Sequence, residues 1–410
     1  MARLLLVLIL VFPLAAQKNY ADGKLAYAQG KFQEAEWSMA AALAELDNGP
    51  PDDPRLPTLL YDLAEVYRAQ GKYPEAQATL ERLLKQPQAP DMVKALDALA
   101  KVERAQANFD GASELYQRSL ELQEAAHGRD SLDLLPDMDN LAQIDQALKK
   151  YPEAETLLAR VVGIREKQQG PDDPEVAAEY AKLGRLFVIE KKLPEAEPLY
   201  RRSIDIIGKR YGFEDAKLCP LLDALASVYR DQTKFADAEP FLQRSLWIRD
   251  NTSGPVHQDV GQALDNLASL FYAMKRYTDA EPLYRRSLAI WTQLLGPDHF
   301  LLATSLDNLA VILALEEKYE ESETLYAKAL AIRDRDDLGS LHNLALVQMQ
   351  LDKDQDAAGL FKRIVAMLDT PEKEKSGASL LQEYADLLRK MHHLREAALW
   401  QAKAKALSKK

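Results

Sequence analysis

Residues 262–290 read QALDNLASLFYAMKRYTDAEPLYRRSLAI. Leu264, Leu267, Ala268 and Phe271 recur at helical spacing. Ala273 to Arg276 break the pattern, and a second stripe follows at Ala280, Leu283, Tyr284, Ser287 and Leu288. Both stripes follow the 3.6-residue period and neither alternates as a strand would. The stretch is therefore expected to form two helices joined by a short turn. The same signature returns on a fixed step. An aromatic or Leu followed three residues later by Ala stands at Phe109/Ala112, Tyr151/Ala154, Leu193/Ala196, Phe235/Ala238 and Tyr277/Ala280, and with Ser at Tyr319/Ser322, each 42 residues from the last. Gly128, Gly170, Gly212, Gly254 and Gly296 keep that step. A strict period of this length marks an all-α stack of helix pairs, in which neighbours bury the stripes that one pair leaves open.

The anchor extends outward to Phe32, Tyr73, Asp354 and Leu394, which makes ten units with spacings of 41, 36, five of 42, 35 and 40. Three residues after the anchor nine of the ten units carry Ala, which marks a crossing too close for a larger side chain. The loops repeat as well. Gly170-Pro171-Asp172-Asp173-Pro174 holds a turn, an N-cap at Asp173 and Pro at the first helical position. Ser131, Asp215, His257 and His299 share the register of Asp173. Acids such as Glu153, Glu195 and Glu281 sit near the start of the second helix, where the helix dipole favours them. Glu197–Arg201 and Glu281–Arg285 have the i,i+4 spacing of helix-surface ion pairs. Pro198, Pro240 and Pro282 fall about a turn into the second helix, which reads as a late helix start. Lys85–Asp91, Arg333–Gly339 and Thr370–Gly377 are irregular and are candidate kinks.

Residues 1–16 read as a separate object. Arg3 precedes the apolar run Leu4–Leu14, and Ala15-Ala16 precede Gln17, the order of a signal peptide with cleavage after Ala16. The run is too short for an ordinary spanning helix. Residues 17–410 are then the repeat stack. Export is the expected destination, periplasmic or secreted, with membrane tethering if the segment is retained. The chain carries 52 basic and 64 acidic residues, a net charge of −12. That balance argues against nucleic acid and anionic lipid as partners. Cys219 is the one cysteine, so an intramolecular disulfide is impossible, and it reads as a small buried residue.

Leu60, Leu63, Ala64, Tyr67, Gly71, Tyr73 and Ala76 resemble the tetratricopeptide repeat, as do Gly30, Phe32 and Ala35. The 42-residue step, the Gly-Pro-Asp loops and AEPLYRRSL at 280–288 are similar to the longer repeats of kinesin light chains and of many bacterial repeat proteins. The resemblance covers residues 19–407. It implies a right-handed superhelical solenoid of about ten antiparallel helix pairs, whose first helices line a concave groove that holds a protein or peptide. It does not imply a motor-transport role.

Within that frame one polar stripe stands out. The first helices read Leu-Asp-Asn-Leu-Ala or a near relative at 96–100, 138–142, 222–226, 264–268, 306–310 and 341–345. The amides are Asn140, Asn266, Asn308 and Asn343, and the acids are Asp97, Asp139, Asp223, Asp265 and Asp307. The resemblance places such an Asn against a bound peptide backbone, a task suited to a group with both donor and acceptor. Five acids on the groove floor would favour a basic or neutral ligand. Equally, the stripe reads as an internal ladder, with Arg68, Arg104, Arg230 and Arg389 placed to neutralise it. Tyr272 is a candidate groove aromatic, whereas Trp247 and Trp291, on second helices, are expected to pack between repeats.

Catalytic chemistry has no visible home. Phosphate-loop, zinc-protease, Cys-x-x-Cys and nucleophile-elbow patterns are absent. Asp352, Asp354 and Asp356 open like a calcium loop, but Ala357 and Arg363 stand where Gly and a bidentate Glu are required. No catalytic, cofactor-binding or metal-binding residue is assigned. The reading is an exported, non-catalytic binding scaffold; the alternatives are a self-assembling spacer and an enzyme using groove carboxylates.

Overall fold

The computed structural model describes residues 2–50, 53–86, 91–333, 337–368 and 377–408, with only the course of the helix over residues 2–14. Among these residues the chain forms twenty α-helices and no strand. They come in ten pairs. The first five are α1 (Ala2–Ala28) and α2 (Phe32–Asp47), α3 (Leu56–Ala69) and α4 (Tyr73–Leu84), α5 (Met92–Ala105) and α6 (Phe109–His127), α7 (Leu135–Ala147) and α8 (Tyr151–Gln169), and α9 (Pro174–Ile189) and α10 (Leu193–Tyr211). The other five are α11 (Cys219–Asp231) and α12 (Phe235–Thr252), α13 (Gln258–Ala273) and α14 (Tyr277–Leu295), α15 (Leu302–Leu315) and α16 (Tyr319–Ile332), α17 (Leu338–Gln350) and α18 (Asp354–Met367), and α19 (Ala378–Lys390) and α20 (Leu394–Leu407). Contacts gather them into two units, Met1–Ile206 and Ile207–Lys410, the division falling near the end of α10.

Every second helix starts on its anchor residue. The turn before it ends the first helix in one way throughout. The residue two before the anchor has positive φ in all ten pairs, from Gly30 at 73° to His392 at 63°. In the turn before α14, Lys275 N–H donates to Tyr272 O and Arg276 N–H donates to Phe271 O, both at 2.9 Å. This paired closure caps the first helix. Only Gly30 and Gly71 are glycines there. Thr233, at φ 59°, is β-branched in a region its side chain disfavours. Thr233→Gly is therefore expected to raise stability by about 1 kcal/mol, read as a higher urea midpoint at unchanged slope.

The second-to-first connections follow the loop reading. Gly128, Gly170 and Gly296 adopt φ 84°, 94° and 89° with ψ between 151° and 162°, a region open only to glycine. Ser131, Asp173 and Asp215 accept N–H donors two residues on, at 3.2, 2.8 and 2.8 Å. His257 and His299 do the same through Nδ1, at 3.2 and 3.3 Å. The prolines correct one expectation. Pro198, Pro240 and Pro282 lie inside their helices, which start five residues earlier. Pro282 deprives only the Thr278 carbonyl, in an exposed first turn where water can replace the lost N–H. Of the candidate kinks, residues 87–90, 334–336 and 370–376 lie outside the described residues, and 338–339 already belong to α17.

The small anchor-plus-three residues sit inside the core of both units. All are fully buried, from Ala35 at 0 % to Ala397 at 1 % exposed, and Ser322 is also at 0 %. Within each unit, helix pairs pack on their neighbours through shared apolar clusters. Ala142, Ala154, Leu158, Leu183 and Leu186 form one in the first unit, and in the second Leu302, Ala303, Leu306 and Ala329 pack against Leu288 and Trp291 of the preceding pair. First helices of successive pairs also meet directly, α3 with α5 and α15 with α17. The loops are tied by a recurring ion pair between the base before one anchor and the acid four residues after the previous one. Lys72–Glu36 spans 2.6 Å, Lys192–Glu155 2.9 Å, Arg276–Glu239 2.7 Å and Lys318–Glu281 2.5 Å. At Glu281, burial alone would raise the carboxyl pKa, but hydrogen bonds from Lys318 and Arg285 bring it down to about 2.

Candidate functional site

The first-helix motif splits into two layers. Each aspartate turns toward the helices packed beside it and is used there. Asp97 accepts from Ser119 Oγ at 2.7 Å. Asp139 accepts from Lys182 Nζ at 2.6 Å. Asp223 receives both Nη atoms of Arg249, at 3.4 and 2.7 Å. Asp265 accepts from Trp291 Nε1 at 3.1 Å. Asp307 accepts from Ser340 Oγ at 2.8 Å and pairs with Arg333 at 2.6 Å. Arg249, Trp291 and Arg333 each lie 26 residues after their aspartate, at the end of the second helix or just beyond it. The acids thus bridge a first helix to its neighbours. The bases named from the sequence do other things: Arg68 pairs with Glu65 at 2.6 Å and Arg389 with Asp386 at 2.5 Å. An acidic groove floor loses its basis, because three of the five charges are matched by Lys182, Arg249 and Arg333. Burial favours the neutral acid at Asp265, against hydrogen bonds from Ser287 and Trp291.

Two deeper acids complete this layer. Asp137 and Glu179 are 1 % and 2 % exposed. Glu179 receives Arg165 Nε at 2.8 Å and Lys182 Nζ at 2.8 Å, so Lys182 links it to Asp139. Asp137 accepts from Gln123 Nε2 at 2.6 Å, and Gln123 also donates to Ser119 Oγ at 3.3 Å. Asp97 and Asp137 meet across this group with only longer-range help from Lys101. Burial first, and then the neighbouring Asp97, push the Asp137 pKa up to about 6. The sequence reading missed both acids. Their signal was present: Asp137 and Glu179 are 42 residues apart, and so are their partners Gln123 and Arg165.

The Asp137 shift gives a sign that can be checked. With the folded pKa above the ordinary 3.8, the folded chain holds a proton that the unfolded chain releases. The stability Asp137 contributes is complete below about pH 4 and is lost as pH rises to about 6. Asp137→Asn keeps an oxygen for Gln123 and removes the charge. Its stability relative to wild type is expected to climb between those pH values and then level off, as urea titrations from pH 4 to 8 will show.

The asparagines form the outer layer, and they are half-buried. Asn140 Oδ1 accepts from Arg104 at 3.4 Å, and Asn266 Oδ1 accepts from Gln262 at 3.1 Å. Asn343 lies beside the Tyr326 hydroxyl. Asn308 has no side-chain hydrogen bond among the described residues. Positions three and seven residues on share the face of each Asn. In the second unit they are Ser269 and Ala273, Val311 and Leu315, and Leu346 and Gln350. Leu315 is 45 % exposed, Leu346 37 % and Tyr272 44 %. That face offers amides in line with uncovered apolar groups.

Trp291 packs against Leu302 and Leu306, as expected, but Trp247 is 49 % exposed on α12. Trp37, unremarked in the sequence, is 80 % exposed. Cys219 is buried at 3 %. Asp352 and Asp354 both accept from Lys390, at 3.0 and 2.9 Å.

Tetratricopeptide repeat profiles match residues 91–166, 134–209, 218–281 and 259–335, and a second such profile matches 26–99. The chain belongs to the tetratricopeptide repeat family. Among solved structures, the C-terminal part of a TPR repeat-containing protein from Cytophaga hutchinsonii is 14% identical, covers 69% of this chain and 99% of its own, and gives a TM-score of 0.51. Nearly identical TPR-like repeats of a putative kinesin light chain from Podosopora anserina are 21% identical over 50% of this chain and 97% of theirs, at 0.45. BtubC (BKLC) from P. vanneervenii is 20% identical over 59% and 92%, at 0.41. No curated protein matches the chain significantly. As a tetratricopeptide repeat protein it is of a kind typical of interaction scaffolds, and among its described residues no helix is long and apolar enough to cross a membrane.

Proposed function

We propose that this chain is an exported, non-catalytic scaffold that holds an extended segment of another protein against its first-helix face. The observation that carries the reading is Asn308, an amide without a side-chain hydrogen bond among the described residues, aligned with Val311 and the uncovered Leu315. Asn266 and Asn343 hold the equivalent positions on α13 and α17, with Gln262 and the Tyr326 hydroxyl beside them. An amide both donates to and accepts from a peptide backbone, and the apolar groups beside it suit that peptide's side chains. Since the aspartates are used internally, the second unit favours an uncharged segment over a basic one. The carboxylates described above serve in ion pairs, caps and buried bridges, which supports a non-catalytic role.

A photo-crosslinking amino acid at Leu315, expressed in the native host, tests this. A discrete adduct is expected that weakens at least fivefold when Asn308→Ala is added. The same adduct from Thr324, on α16, would sink the proposal. Export rests on residues 1–16, and N-terminal sequencing of the mature chain should begin at Gln17. A chain that still starts at residue 1 or 2 would refute cleavage.

A further inference from the structure

The chain holds eight asparagines, and one of them precedes a glycine, at Asn48-Gly49. The other seven precede Tyr, Phe, Leu or Thr. Six of those seven stand inside a helix, and Asn108 is the N-cap of α6. Asn48 stands just past the end of α2, as its C-cap, with φ −87° and ψ −1°. Both Asn48 and Gly49 are exposed. Two hydrogen bonds hold them to the helix. Asn48 Nδ2 donates to Ala44 O at 2.7 Å, and Gly49 N–H donates to Leu46 O at 3.0 Å. Both belong to a helix end, the part of a helix that opens most readily. A Cβ on Gly49 would meet Leu46 O at 3.2 Å, so a residue without one lets the chain close against the helix end.

We propose that Asn48 is a site of self-modification, where the chain converts this amide to aspartate and isoaspartate with water as the co-reactant. Once the two bonds open, the Gly49 backbone nitrogen gives up its proton to solvent and attacks Cγ of Asn48. An N–Cγ bond forms, the Cγ–Nδ2 bond breaks, and the amide nitrogen takes up a proton and leaves as ammonia. The result is a five-membered imide. Water then adds to either imide carbonyl and the bond from that carbon to nitrogen opens. Opening at Cγ leaves an aspartate, and opening at the backbone carbonyl routes the main chain through the side chain. Glycine favours the ring closure, because it has no side chain to crowd the attack and its backbone reaches the cyclising geometry freely. Either product places a carboxylate at the negative end of the α2 dipole, beside Asp47. Both Nη atoms of Arg82, in the last turn of α4, hold Asp47. The new charge competes for that arginine, which ties the first helix pair to the second. Isoaspartate also adds a methylene to the main chain, which displaces Gly49 N–H from Leu46 O. The modification therefore loosens the junction of the first two pairs as the protein ages.

The test incubates the purified full chain at pH 8 and follows its tryptic peptides by mass spectrometry. The fragment over residues 32–55 holds Asn48 as its one asparagine. A gain of about 1 Da, the exchange of an amide for an acid, is expected at position 48. It should accumulate at least tenfold faster than at any of the other seven asparagines. Isoaspartate should be present in the product, detected by methyl transfer from an isoaspartyl methyltransferase. Gly49→Ala should slow the gain at least fivefold, with circular dichroism confirming that the variant is folded. Asn48→Gln leaves the glycine in place and should abolish the early mass gain in this fragment. The aged wild type should show a lower urea midpoint than the fresh chain, and aged Asn48→Gln should not. The assignment is overturned if Asn48 stays intact in the folded chain while the isolated 32–55 peptide converts. Equal rates at all eight asparagines, aspartate without isoaspartate, or a Gly49→Ala chain that reacts as fast would do the same. An unchanged urea midpoint after full conversion would refute the loosened junction.

Discussion

Arg165→Ala is expected to lower stability by about 3 kcal/mol, the cost of stranding one member of a buried ion pair. Glu179 is 2 % exposed and holds Arg165 at 2.8 Å. Removing the guanidinium leaves Lys182 as its charged partner, and Lys182 is shared with Asp139. The loss follows from the uncompensated carboxylate more than from the missing attraction. Joint replacement, Arg165→Met with Glu179→Met, should therefore recover most of it, since neither charge remains buried. Arg201→Ala, which removes one side of the exposed Glu197 pair, should cost no more than a few tenths of a kcal/mol. Urea titrations of these variants decide the matter. A loss below about 1 kcal/mol for Arg165→Ala would mean that the polar layer between α8 and α9 is not a structural bridge.

Ala280→Leu is expected to cost about 3 kcal/mol, the upper part of the range for overpacking a filled interior. Ala280 is fully buried near the start of α14, where α13 crosses, and a larger side chain has no free volume to enter. The equivalent position in the next pair shows how little the crossing admits. Ser322 adds one oxygen, and that hydroxyl is buried and donates to Ala310 O at 2.7 Å. Ala280→Ser should accordingly cost under about 1 kcal/mol, since one partnered hydroxyl fits where a branched side chain must displace its neighbours. Thermal unfolding of both variants provides the check. A Leu variant as stable as the Ser variant would refute the close-crossing argument.

The polar residues divide by whether their partners are local in the chain. The caps at Ser131, Asp173, Asp215, His257 and His299 were legible because each acts on an N–H two residues away. The left-handed turns were visible only at Gly30 and Gly71, since eight other pairs force non-glycine residues into that conformation to close the same helix end. Trp247 was read as packed because it lies on a second helix, where an aromatic at helical spacing usually joins the core, yet its own position is largely exposed. The Asp/Asn motif looked like one stripe. Adjacent residues on a helix point about 100° apart, so packing could turn the Asp inward and leave the Asn on the open face.

By itself the sequence determined the ten helix pairs and the close crossings at Ala, because those depend on periodicity and side-chain size along the chain, whereas the helix starts ahead of Pro198, Pro240 and Pro282 came from the structure. Tertiary structure alone decided which charges remain available. Asp223 finds Arg249, Asp307 finds Arg333 and Glu179 finds Arg165 only when neighbouring helices stack. Among the described residues Arg104 meets only the amides of Asn140 and Gln143 in that stacking. Charge pairing is a distance between helices, and the distance exists only in the packed chain.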